Sequence, residues 1–562
     1  MLLRCLALAV LVGATVAVPV RANKKPNLIL ILTDDQDKLL DSMKTMNKTQ
    51  ELLVSQGATF SNNFVNTPIC CPSRTETMTG RYYHNVGAPT GSCMHVNAEE
   101  NVFDPKRSIF ARLQQAGYAT GVFGKVTNDQ TGYFCGKKRA EGMTTVSSPC
   151  DYNNFYSKQY FVKLANGSQT VEVLPDAPTT YQTAQIGNRS LAWIKDMAEE
   201  NTPFFAYIGP HAPHYPATPA PWDETDYSSR QAPRTPNWNA SGIGKHEMVA
   251  QNPPLDDNVA KYIDQHYRDR LRALVSVDDV VGQLFATLKE AGQLDNTYIF
   301  YTSDNGYHLG QFRLPTSKQQ IYETDIHLPL YVRGPGIKSG VELDALVGNV
   351  DIAPTLLDLA GAQKDDMDGK SLMPHLVSGS EKSAHPWRTS FLVEYLSVGS
   401  VRPFPAITHV NAVLLRSQPD LVAWANVGGV LLDSSPLTRT QGHNKAGPKS
   451  PTGAKTCKEG TGNCWFIDST NSNSYRALRV INGTSNLLYA GASAVRPLLT
   501  SPTEFDSKWK FDETGLEFVE LYDLNADPWQ MDNLHNKTSA AVLHDLHEQV
   551  ASYFSCSGSQ CP

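Results

Sequence analysis

The sequence carries little charge and, beyond its N-terminus, no long apolar segment. Charged residues make up 19% of the 562 residues and the net charge is −7, so the chain lacks the basic surface that nucleic-acid binding requires. No apolar run after the N-terminus reaches the roughly 20 residues that cross a bilayer, and we expect no membrane span. No cysteine has the spacing to histidine partners that zinc sites show. The hydrophobic content of 41% is that of an ordinary globular protein.

The N-terminus differs from the rest of the chain. A short start containing Arg4 precedes an almost wholly apolar stretch from Cys5 to Val18, and small residues follow at Ala17 and Ala22. This pattern predicts a secretory signal peptide over residues 1–22, with an uncleaved anchor as the alternative. We therefore expect a protein of the secretory pathway, either extracellular or in a lysosome-like compartment.

The cysteines fit an oxidising compartment. Of the ten, Cys5 leaves with the signal peptide and Cys70 belongs to a motif described below, which leaves an even number for disulfides. The pairs that we expect are Cys457–Cys464, Cys556–Cys561, Cys135–Cys150 and Cys71–Cys93. Six N-x-S/T triplets fit a secreted glycoprotein: Asn47, Asn166, Asn188, Asn239, Asn482 and Asn536.

Strand and helix patterns alternate along most of the chain. The unbroken apolar run at residues 28–32 predicts a central parallel strand buried on both faces, and long helical patterns follow at 183–200 and 258–291. The alternation predicts an α/β fold, a large mostly parallel sheet sandwiched by helices, over residues 23–395. For residues 396–562 we expect a smaller α+β domain, with a loop at 434–464.

Two predicted strands end in acidic residues. Asp34 and Asp35 follow the first strand, and Asp304 and Asn305 follow the strand at 298–301. Ligands of open α/β sheets bind beyond the carboxyl ends of the strands, so both segments can converge there. Their oxygen ligands select Ca²⁺ or Mg²⁺ over zinc. The structural alternatives are a helix cap and a turn.

The segment Cys70-Cys71-Pro72-Ser73-Arg74 is the most informative motif. Pro72 near a helix start predicts that Cys70 lies at a helix N-terminus, where unpaired N–H groups suit an anion such as sulfate. The alternative is a disulfide cysteine before a proline turn. Lys125 follows a predicted strand and can point into the same cleft. His214 follows another strand, and it is either catalytic or packed in its loop.

Together these motifs resemble the sulfatase family, most closely its N-acetylglucosamine-6-sulfatase and arylsulfatase branch. The resemblance covers nearly the whole chain after the signal peptide. Its segments are Asp34-Asp35-Gln36, Cys70-Cys71-Pro72-Ser73-Arg74, Thr79-Gly80-Arg81, Gly124-Lys125, Ala212-Pro213-His214, Ser303-Asp304-Asn305-Gly306 and Leu521-Tyr522-Asp523-Leu524.

The resemblance implies an alkaline-phosphatase-like fold, a catalytic domain over 23–395 and hydrolysis of a sulfate monoester. The substrate would be a sulfated carbohydrate, such as N-acetylglucosamine 6-sulfate, or an aryl sulfate. A formylglycine-generating enzyme would convert Cys70 to Cα-formylglycine during maturation. One Ca²⁺ would be held by Asp34, Asp35, Asp304, Asn305 and residue 70. The residues expected around the sulfate and the nucleophile are Arg74, Lys125, His214 and Lys318.

A hydrated aldehyde explains this choice of residues. One hydroxyl of the hydrate attacks sulfur, and the second expels sulfate as the aldehyde re-forms, whereas a serine would retain the sulfate as a stable ester. Lysine, arginine and Ca²⁺ stabilise charge on the sulfuryl oxygens. A histidine can protonate the leaving alcohol or take the hydroxyl proton.

The sequence departs from the family at one place. Many sulfatases have Gly-Lys-x-His, but here Lys125 is followed by Val126-Thr127-Asn128. The resembling branch has an asparagine at the position of Asn128, and His308 is a candidate for part of the missing function. Two alternative functions remain: a metal-dependent phosphomonoester or phosphonate hydrolase of the same superfamily, and a non-catalytic sulfated-glycan binding protein.

Overall fold

The fold is described from a computed structural model. It describes residues 25–86, 108–128, 131–136, 140–151, 154–175, 180–364, 366–378, 387–395, 474–492 and 518–562. The expected signal peptide and the expected loop at 434–464 therefore lie outside the described residues and stay predictions.

Ten strands of the described chain form one mixed sheet. They are β1 Asn27–Thr33, β2 Ala58–Phe64, β3 Ala119–Gly124, β4 Thr145–Pro149, β5 Gln159–Lys163, β6 Gln169–Val173, β7 Phe204–Gly209, β8 Thr297–Ser303, β9 Leu330–Arg333 and β10 Val341–Gly348. Their order is β10-β2-β9-β8-β1-β7-β3-β4-β5-β6. The centre from β8 to β4 is parallel, whereas β9, β5 and β6 run antiparallel to their neighbours. The predicted mostly parallel α/β sheet is confirmed.

Strand β1 lies at the centre of the sheet with both faces covered. Leu28, Leu30 and Leu32 belong to one hydrophobic cluster, whereas Ile29 and Ile31 belong to the cluster on the other face. All five side chains are almost completely buried. Burying each is worth about 1.5–3 kcal/mol, which explains why this strand shows no polar alternation.

Helices cover both faces of the sheet. They are α1 Asn47–Thr49, α2 Cys70–Thr79, α3 Tyr83–Val86, α4 Ile109–Gln115, α5 Gln182–Glu199, α6 Glu247–Ala250, α7 Asp257–Glu290, α8 Glu323–Ile326, α9 Ile352–Ala360, α10 Met373–Ser378 and α11 Ala540–Phe554. Short 3₁₀ or π turns occupy Ser42–Thr45, Gln50–Val54, Thr131–Gly136, Leu294–Asn296, Asn349–Asp351, His535–Lys537 and Gly558–Gln560. The apolar side of α5 and α7 packs on one face, and α4 and α9 pack on the other.

A second, smaller sheet is antiparallel. Its strands are β11 Ser390–Tyr395, β12 Tyr475–Asn482, β13 Ser485–Ala492 and β14 Phe518–Asp523, in that order. Helix α11 packs against it through Leu546, Val550 and Tyr553. The boundary that we expect at residue 395 stays a prediction, although β11, on its N-terminal side, pairs within this smaller sheet.

Two of the four expected disulfides are present, Cys135–Cys150 and Cys556–Cys561. The pair Cys457–Cys464 and the cysteine at 93, expected to pair with Cys71, lie outside the described residues. None of the helices in the described ranges combines the length and the apolarity that a bilayer crossing requires.

Candidate active site

The site lies at the carboxyl ends of the central parallel strands. Strands β1 and β8 are direct neighbours in parallel register, so the residues that follow them are side by side. The Asp35 amide donates to Asp304 Oδ1 at 3.0 Å, and Asn305 Nδ2 donates to Asp35 Oδ1 at 2.8 Å. Asp34, Asp35, Asp304 and Asn305 are all buried. The structure thus brings together the two acidic strand ends found in the sequence.

Cys70 is the first residue of α2. The preceding residue, Ile69, is extended, and Gly80 ends the helix in the left-handed conformation that glycine tolerates. The Cys70 side chain is 2% exposed and its Sγ lies 3.8 Å from Asp35 Oδ1. Burial, reinforced by the charge of Asp34, raises the pKa of the Cys70 thiol. An unmodified cysteine here is therefore a poor thiolate nucleophile.

Arg74 lies one helical turn after Cys70 and is fully buried. Its Nε donates to Asp304 Oδ2 at 2.8 Å, and its terminal nitrogens donate to the Lys125 carbonyl, the Tyr207 hydroxyl and the Thr33 carbonyl. The guanidinium thus ties together the ends of β1, β3, β7 and β8. These contacts give Arg74 a positioning role towards Asp304.

Lys125 neutralises one of the aspartates. It follows β3, and its Nζ lies 2.6 Å from Asp34 Oδ2 with both side chains fully buried. His211 Nδ1 approaches the same oxygen at 3.1 Å. Asp34 is therefore held between a permanent cation and an imidazole.

Lys318 neutralises the other aspartate and also contacts Cys70. Its Nζ lies 2.5 Å from Asp35 Oδ1 and 3.2 Å from Cys70 Sγ. The loop after β8 folds back to bring it there, and the His308 amide donates to the Ser317 carbonyl at 2.9 Å across that loop. Spacing along the chain gives no hint of this return.

His214 faces the same cluster with a defined tautomer. Its Nδ1 lies 2.6 Å from the Tyr215 carbonyl, which can only accept, so Nδ1 carries the proton. Its Nε2 lies 3.7 Å from Asp35 Oδ2. Burial lowers the pKa of His214 well below its usual value, against the attraction of Asp35. The ring therefore presents a neutral, proton-accepting Nε2 to the cluster.

The three carboxylates differ in their ionisation. Burial disfavours the charge on each, but Lys125 and other cations outweigh it at Asp34, whose pKa lies well below the usual range. Lys318 does the same at Asp35 and lowers its pKa to about 2. At Asp304, burial and the neighbouring Asp34 charge prevail and raise the pKa to about 7. Asp304 is thus the carboxyl of the site whose negative charge is compensated least.

The donor set fits a hard divalent cation. Asp34 Oδ1 and Asn305 Oδ1 are buried and accept no hydrogen bond from any described residue, although such atoms normally have a partner. Single ligand atoms of Asp34, Asp35, Cys70 and His214 lie within 4.8 Å of one another. Carboxylate and amide oxygens are the ligands that Ca²⁺ takes, and a cation here would satisfy both orphaned oxygens.

The remaining two candidates are less clearly part of the cluster. Asn128 lies beside α2, with its backbone nitrogen 3.5 Å from Cys71 Sγ. The side-chain Oδ1 of Asn128 is buried without a hydrogen-bond partner among the described residues. The His308 ring is turned to Asp325, with Nδ1 3.0 Å from each carboxylate oxygen. Its Nε2 is buried and has no hydrogen-bond partner among the described residues, and the part proposed for His308 stays a prediction.

Three residues of the site carry no assignment from the sequence. His211 contacts Asp34, Tyr207 donates to the Lys125 carbonyl at 2.8 Å, and Arg270 donates to the Asp35 carbonyl at 2.7 Å. His211 stands in the same short motif as His214, so a signal existed for it. Tyr207 lies inside an apolar strand and Arg270 inside a long amphipathic helix, where nothing local marks them.

Comparison with known proteins gives consistent matches. Residues 26–362 match the protein family described as Sulfatase, and residues 311–418 match the C-terminal region of N-sulphoglucosamine sulphohydrolase. N-acetylglucosamine-6-sulfatase from Capra hircus is 32% identical over 553 residues, which cover 96% of this chain and 85% of that protein. The human N-acetylglucosamine-6-sulfatase is 32% identical over 550 residues, covering 96% of this chain and 86% of that protein.

The fold also matches solved structures. BT4656 in complex with its substrate D-glucosamine-2-N,6-O-disulfate aligns with a TM-score of 0.64 at 19% identity, and the alignment covers 94% of this chain and 97% of that one. At this identity the likeness concerns the fold alone.

Proposed function

The chain belongs to the sulfatase family of sulfuric ester hydrolases, and we propose that it hydrolyses the sulfate ester of a sulfated sugar by means of a formylglycine made from Cys70 and a bound Ca²⁺. The observation that carries the proposal is the position of Cys70. It begins a helix, lies 3.2 Å from Lys318 Nζ, and adjoins the Asp34–Asp35 carboxylates. A helix N-terminus and two lysines make this a place for an anion.

The group at position 70 needs its modification to act. As a buried thiol with a raised pKa it is inert, and Sγ marks the place of the hydroxyls of a hydrated aldehyde. When present, the formylglycine hydrate supplies the hydroxyl that attacks sulfur, and Ca²⁺ held by Asp34, Asp35, Asp304 and Asn305 supplies positive charge beside it.

The two lysines provide fixed positive charge on either side of the reacting group. Lys125 and Lys318 are buried, and each is paired with one aspartate, so neither has to reorganise when the sulfate arrives. Preorganised charge of this kind stabilises the extra negative charge on the sulfuryl oxygens in the transition state. Arg74 contributes indirectly, because its contact with Asp304 fixes one of the expected Ca²⁺ ligands.

His214 is the proposed proton carrier. Its Nδ1–H is committed to the Tyr215 carbonyl, which leaves Nε2 to take a proton from the attacking hydroxyl or return one to the leaving alcohol. Asn128 lies on the Cys71 side of the same helix end and is proposed to contact the substrate.

A sulfated sugar is the preferred substrate class because the goat and human N-acetylglucosamine-6-sulfatases are each 32% identical over 96% of this chain, whereas the Volvox carteri arylsulfatase is 28% identical. We place the enzyme in the secretory pathway, extracellular or in a lysosome-like compartment, in keeping with the N-terminal segment and the two disulfides.

Mass spectrometry of the peptide containing residue 70 tests the modification. In active protein, the CH₂SH group of Cys70 should be replaced by CHO. Cys71→Ser is the matched control because it leaves the first position of the motif intact, so conversion and turnover should persist. Cys70→Ser should abolish both. An unmodified thiol at position 70 in fully active protein would falsify the proposal.

Turnover of a substrate panel tests the chemistry. We expect hydrolysis of N-acetylglucosamine 6-sulfate to exceed that of an aryl sulfate, and both to exceed that of an aryl phosphate. Faster hydrolysis of the phosphate would establish a phosphomonoesterase instead. Binding of the sulfated sugar without turnover by fully modified protein would establish a glycan-binding protein.

A further inference from the structure

One face of α7 carries three polar side chains at four-residue spacing. Tyr262, His266 and Arg270 lie at i, i+4 and i+8, so they project from the same side of the helix. Most of the other residues on the inner side of α7 are apolar and pack in the core. Tyr262 still packs against one of these clusters, so it is the polar character of the face that departs from the amphipathic pattern.

This face contacts the loops that carry the active site. His266 lies 5.8 Å from the Tyr215 ring and 5.8 Å from the Tyr307 ring, and its Nε2 is 3.3 Å from the Tyr307 hydroxyl. The Tyr262 ring stacks on His266 with a centroid distance of 6.1 Å and an interplanar angle of 10°. The four rings of Tyr215, Tyr262, His266 and Tyr307, here called the aromatic wall, form one continuous cluster.

The aromatic wall adjoins the reacting groups directly. Tyr215 follows His214, whose Nε2 is 3.7 Å from Asp35 Oδ2. Arg270 holds the other end, because its guanidinium lies 4.1 Å from the Tyr307 ring centroid and donates to the Asp35 carbonyl. The wall is thus connected to the Asp35 side of the site through His214 and Arg270.

Exposure changes across the wall. His266 and Tyr307 are each 4% exposed and form its buried base, whereas Tyr215 and Tyr262 are half-buried. Tyr262 lies near Thr316, which is also half-buried and lies two residues before Lys318. Tyr215, Tyr262 and Thr316 are therefore the residues of this region that a ligand can reach.

The wall carries no charge, in contrast to the sulfate position. Burial and the nearby Arg270 lower the pKa of His266 to about 3, so the imidazole is neutral at any pH of interest. The wall offers ring faces and the hydroxyls of Tyr262 and Thr316. Such a surface suits an uncharged ring with apolar faces and hydroxyl groups.

We propose that Tyr215 and Tyr262 form the carbohydrate subsite of this enzyme, with the pyranose ring of the sulfated sugar packed against their rings and a sugar hydroxyl bonded to Tyr262 or Thr316. The proposal rests on the proposed function, since it assigns the part of the substrate that the sulfate site does not hold. Tyr262 is then a specificity-determining residue that binds the sugar and takes no part in the cleavage of the sulfate ester.

Steady-state kinetics on two substrates test the subsite. With N-acetylglucosamine 6-sulfate, Tyr262→Ala should raise KM about fivefold to tenfold with kcat within about twofold of wild type. Tyr262→Phe, which keeps the ring, should raise KM less. With 4-nitrophenyl sulfate, which has a ring to pack but no sugar hydroxyl, Tyr262→Ala should also raise KM, and Tyr262→Phe should raise KM less than it does for the sugar. Tyr227→Ala is the control and should change neither KM, because Tyr227 is half-buried against the same hydrophobic cluster as Tyr262 but makes no ring contact with the described residues of the wall.

The results separate the subsite from the proposed function. Unchanged KM for the sugar in both Tyr262 variants, or an equal effect of Tyr262→Phe on the two substrates, would overturn the subsite. Wild-type enzyme that cleaves the aryl sulfate but not the sugar would also overturn it while leaving sulfate-ester hydrolysis intact. Wild-type enzyme that cleaves neither substrate would overturn the proposed function itself.

Discussion

Lys318 Nζ lies 3.2 Å from Cys70 Sγ, although 248 residues separate them in the chain. The same ammonium lies 2.5 Å from Asp35 Oδ1, so one cation contacts both the nucleophile position and a proposed Ca²⁺ ligand. The pairing neutralises Asp35 in the buried site and leaves the ammonium directed at the place where sulfate is proposed to bind.

Replacement of Lys318 by Met should remove the charge while nearly keeping the volume. We expect kcat to fall about 10²–10³-fold, the loss typical when one preorganised electrostatic contact is removed. Kinetics on an aryl sulfate, with the formylglycine content measured in parallel, provide the check. The exposed Lys195→Met on α5 is the matched control. Full activity of Lys318→Met with normal modification would contradict the role.

Arg74→Lys should destabilise the protein as well as inactivate it. A lysine cannot span Asp304, the Lys125 carbonyl and the Tyr207 hydroxyl together, and breaking a buried ion pair costs about 3–5 kcal/mol. Tyr207→Phe removes only the hydroxyl and should cost about 1 kcal/mol. Denaturant unfolding of both variants measures the difference. Equal stability of Arg74→Lys and wild type would show that the hydrogen bonds of Arg74 do not hold the strand ends together.

Glu76 in α2 should make stability fall as pH rises. Burial, with the nearby Glu394, raises its pKa from 4.5 to about 8 against hydrogen bonds from Thr67 and Asn349. A raised folded pKa means that its contribution is complete below about pH 4.5 and is lost as pH rises to about 8, at about 1.4 kcal/mol for each unit of the shift.

Glu76→Gln should therefore flatten the loss of unfolding free energy between about pH 5 and 8. Its amide oxygen can still accept from Thr67 and Asn349. Glu199→Gln, at the exposed end of α5, should leave the pH profile as in wild type. Unfolding at several pH values provides the measurement, and parallel profiles for Glu76→Gln and wild type would argue against a buried neutral carboxyl.

Calcium should stabilise the folded protein. The orphaned oxygens of Asp34 and Asn305 gain a partner only when a cation is present, so EGTA should lower Tm and excess Ca²⁺ should restore it. Asn305→Ala should reduce this difference in Tm. Asn62→Ala is the control and should not, because Asn62 lies in β2 and its side chain donates to the Asp344 carbonyl. A Tm independent of Ca²⁺ in wild-type protein would speak against the metal site.

Glycans should occur at five of the six predicted positions. Asn47, Asn166, Asn188, Asn482 and Asn536 are exposed. The half-buried Asn239 uses both atoms of its amide, since Nδ2 donates to the Leu255 carbonyl and Oδ1 accepts from the Leu255 amide. Glycopeptide mass spectrometry of protein from a eukaryotic host should find Asn239 unmodified, and a glycan attached there would disprove this expectation.

Much of the fold could be read from the sequence because burial leaves a local record. A strand covered on both faces must be apolar throughout, as the run from Leu28 to Leu32 is. The acidic residues that follow β1 and β8 are easy to recognise, because they come directly after apolar runs. The helix start at Cys70 was also predictable, since Pro72 is tolerated only in the first turn.

Other parts of the site leave no such record. His308 stays a candidate for part of the missing histidine function, and nothing in the sequence indicates that its Nδ1 contacts Asp325. Tyr207 lies in a strand and Arg270 in a helix, and the sequence pattern around each of them predicts that the residue is buried but not what it contacts. Their contacts with Lys125 and Asp35 depend on which strands are neighbours, and a hydrophobic pattern does not specify that order.

The sequence by itself determined the chemical groups: a motif cysteine, two acidic strand ends, the lysines and a loop histidine, together with the class of sheet that carries them. Only the tertiary structure decided which groups meet. Strand order places β1 between β7 and β8, and the returning loop carries Lys318 to Cys70. The physical reason is that side-chain chemistry and burial are local properties, whereas a site is assembled by hydrogen-bonded neighbours far apart in the chain.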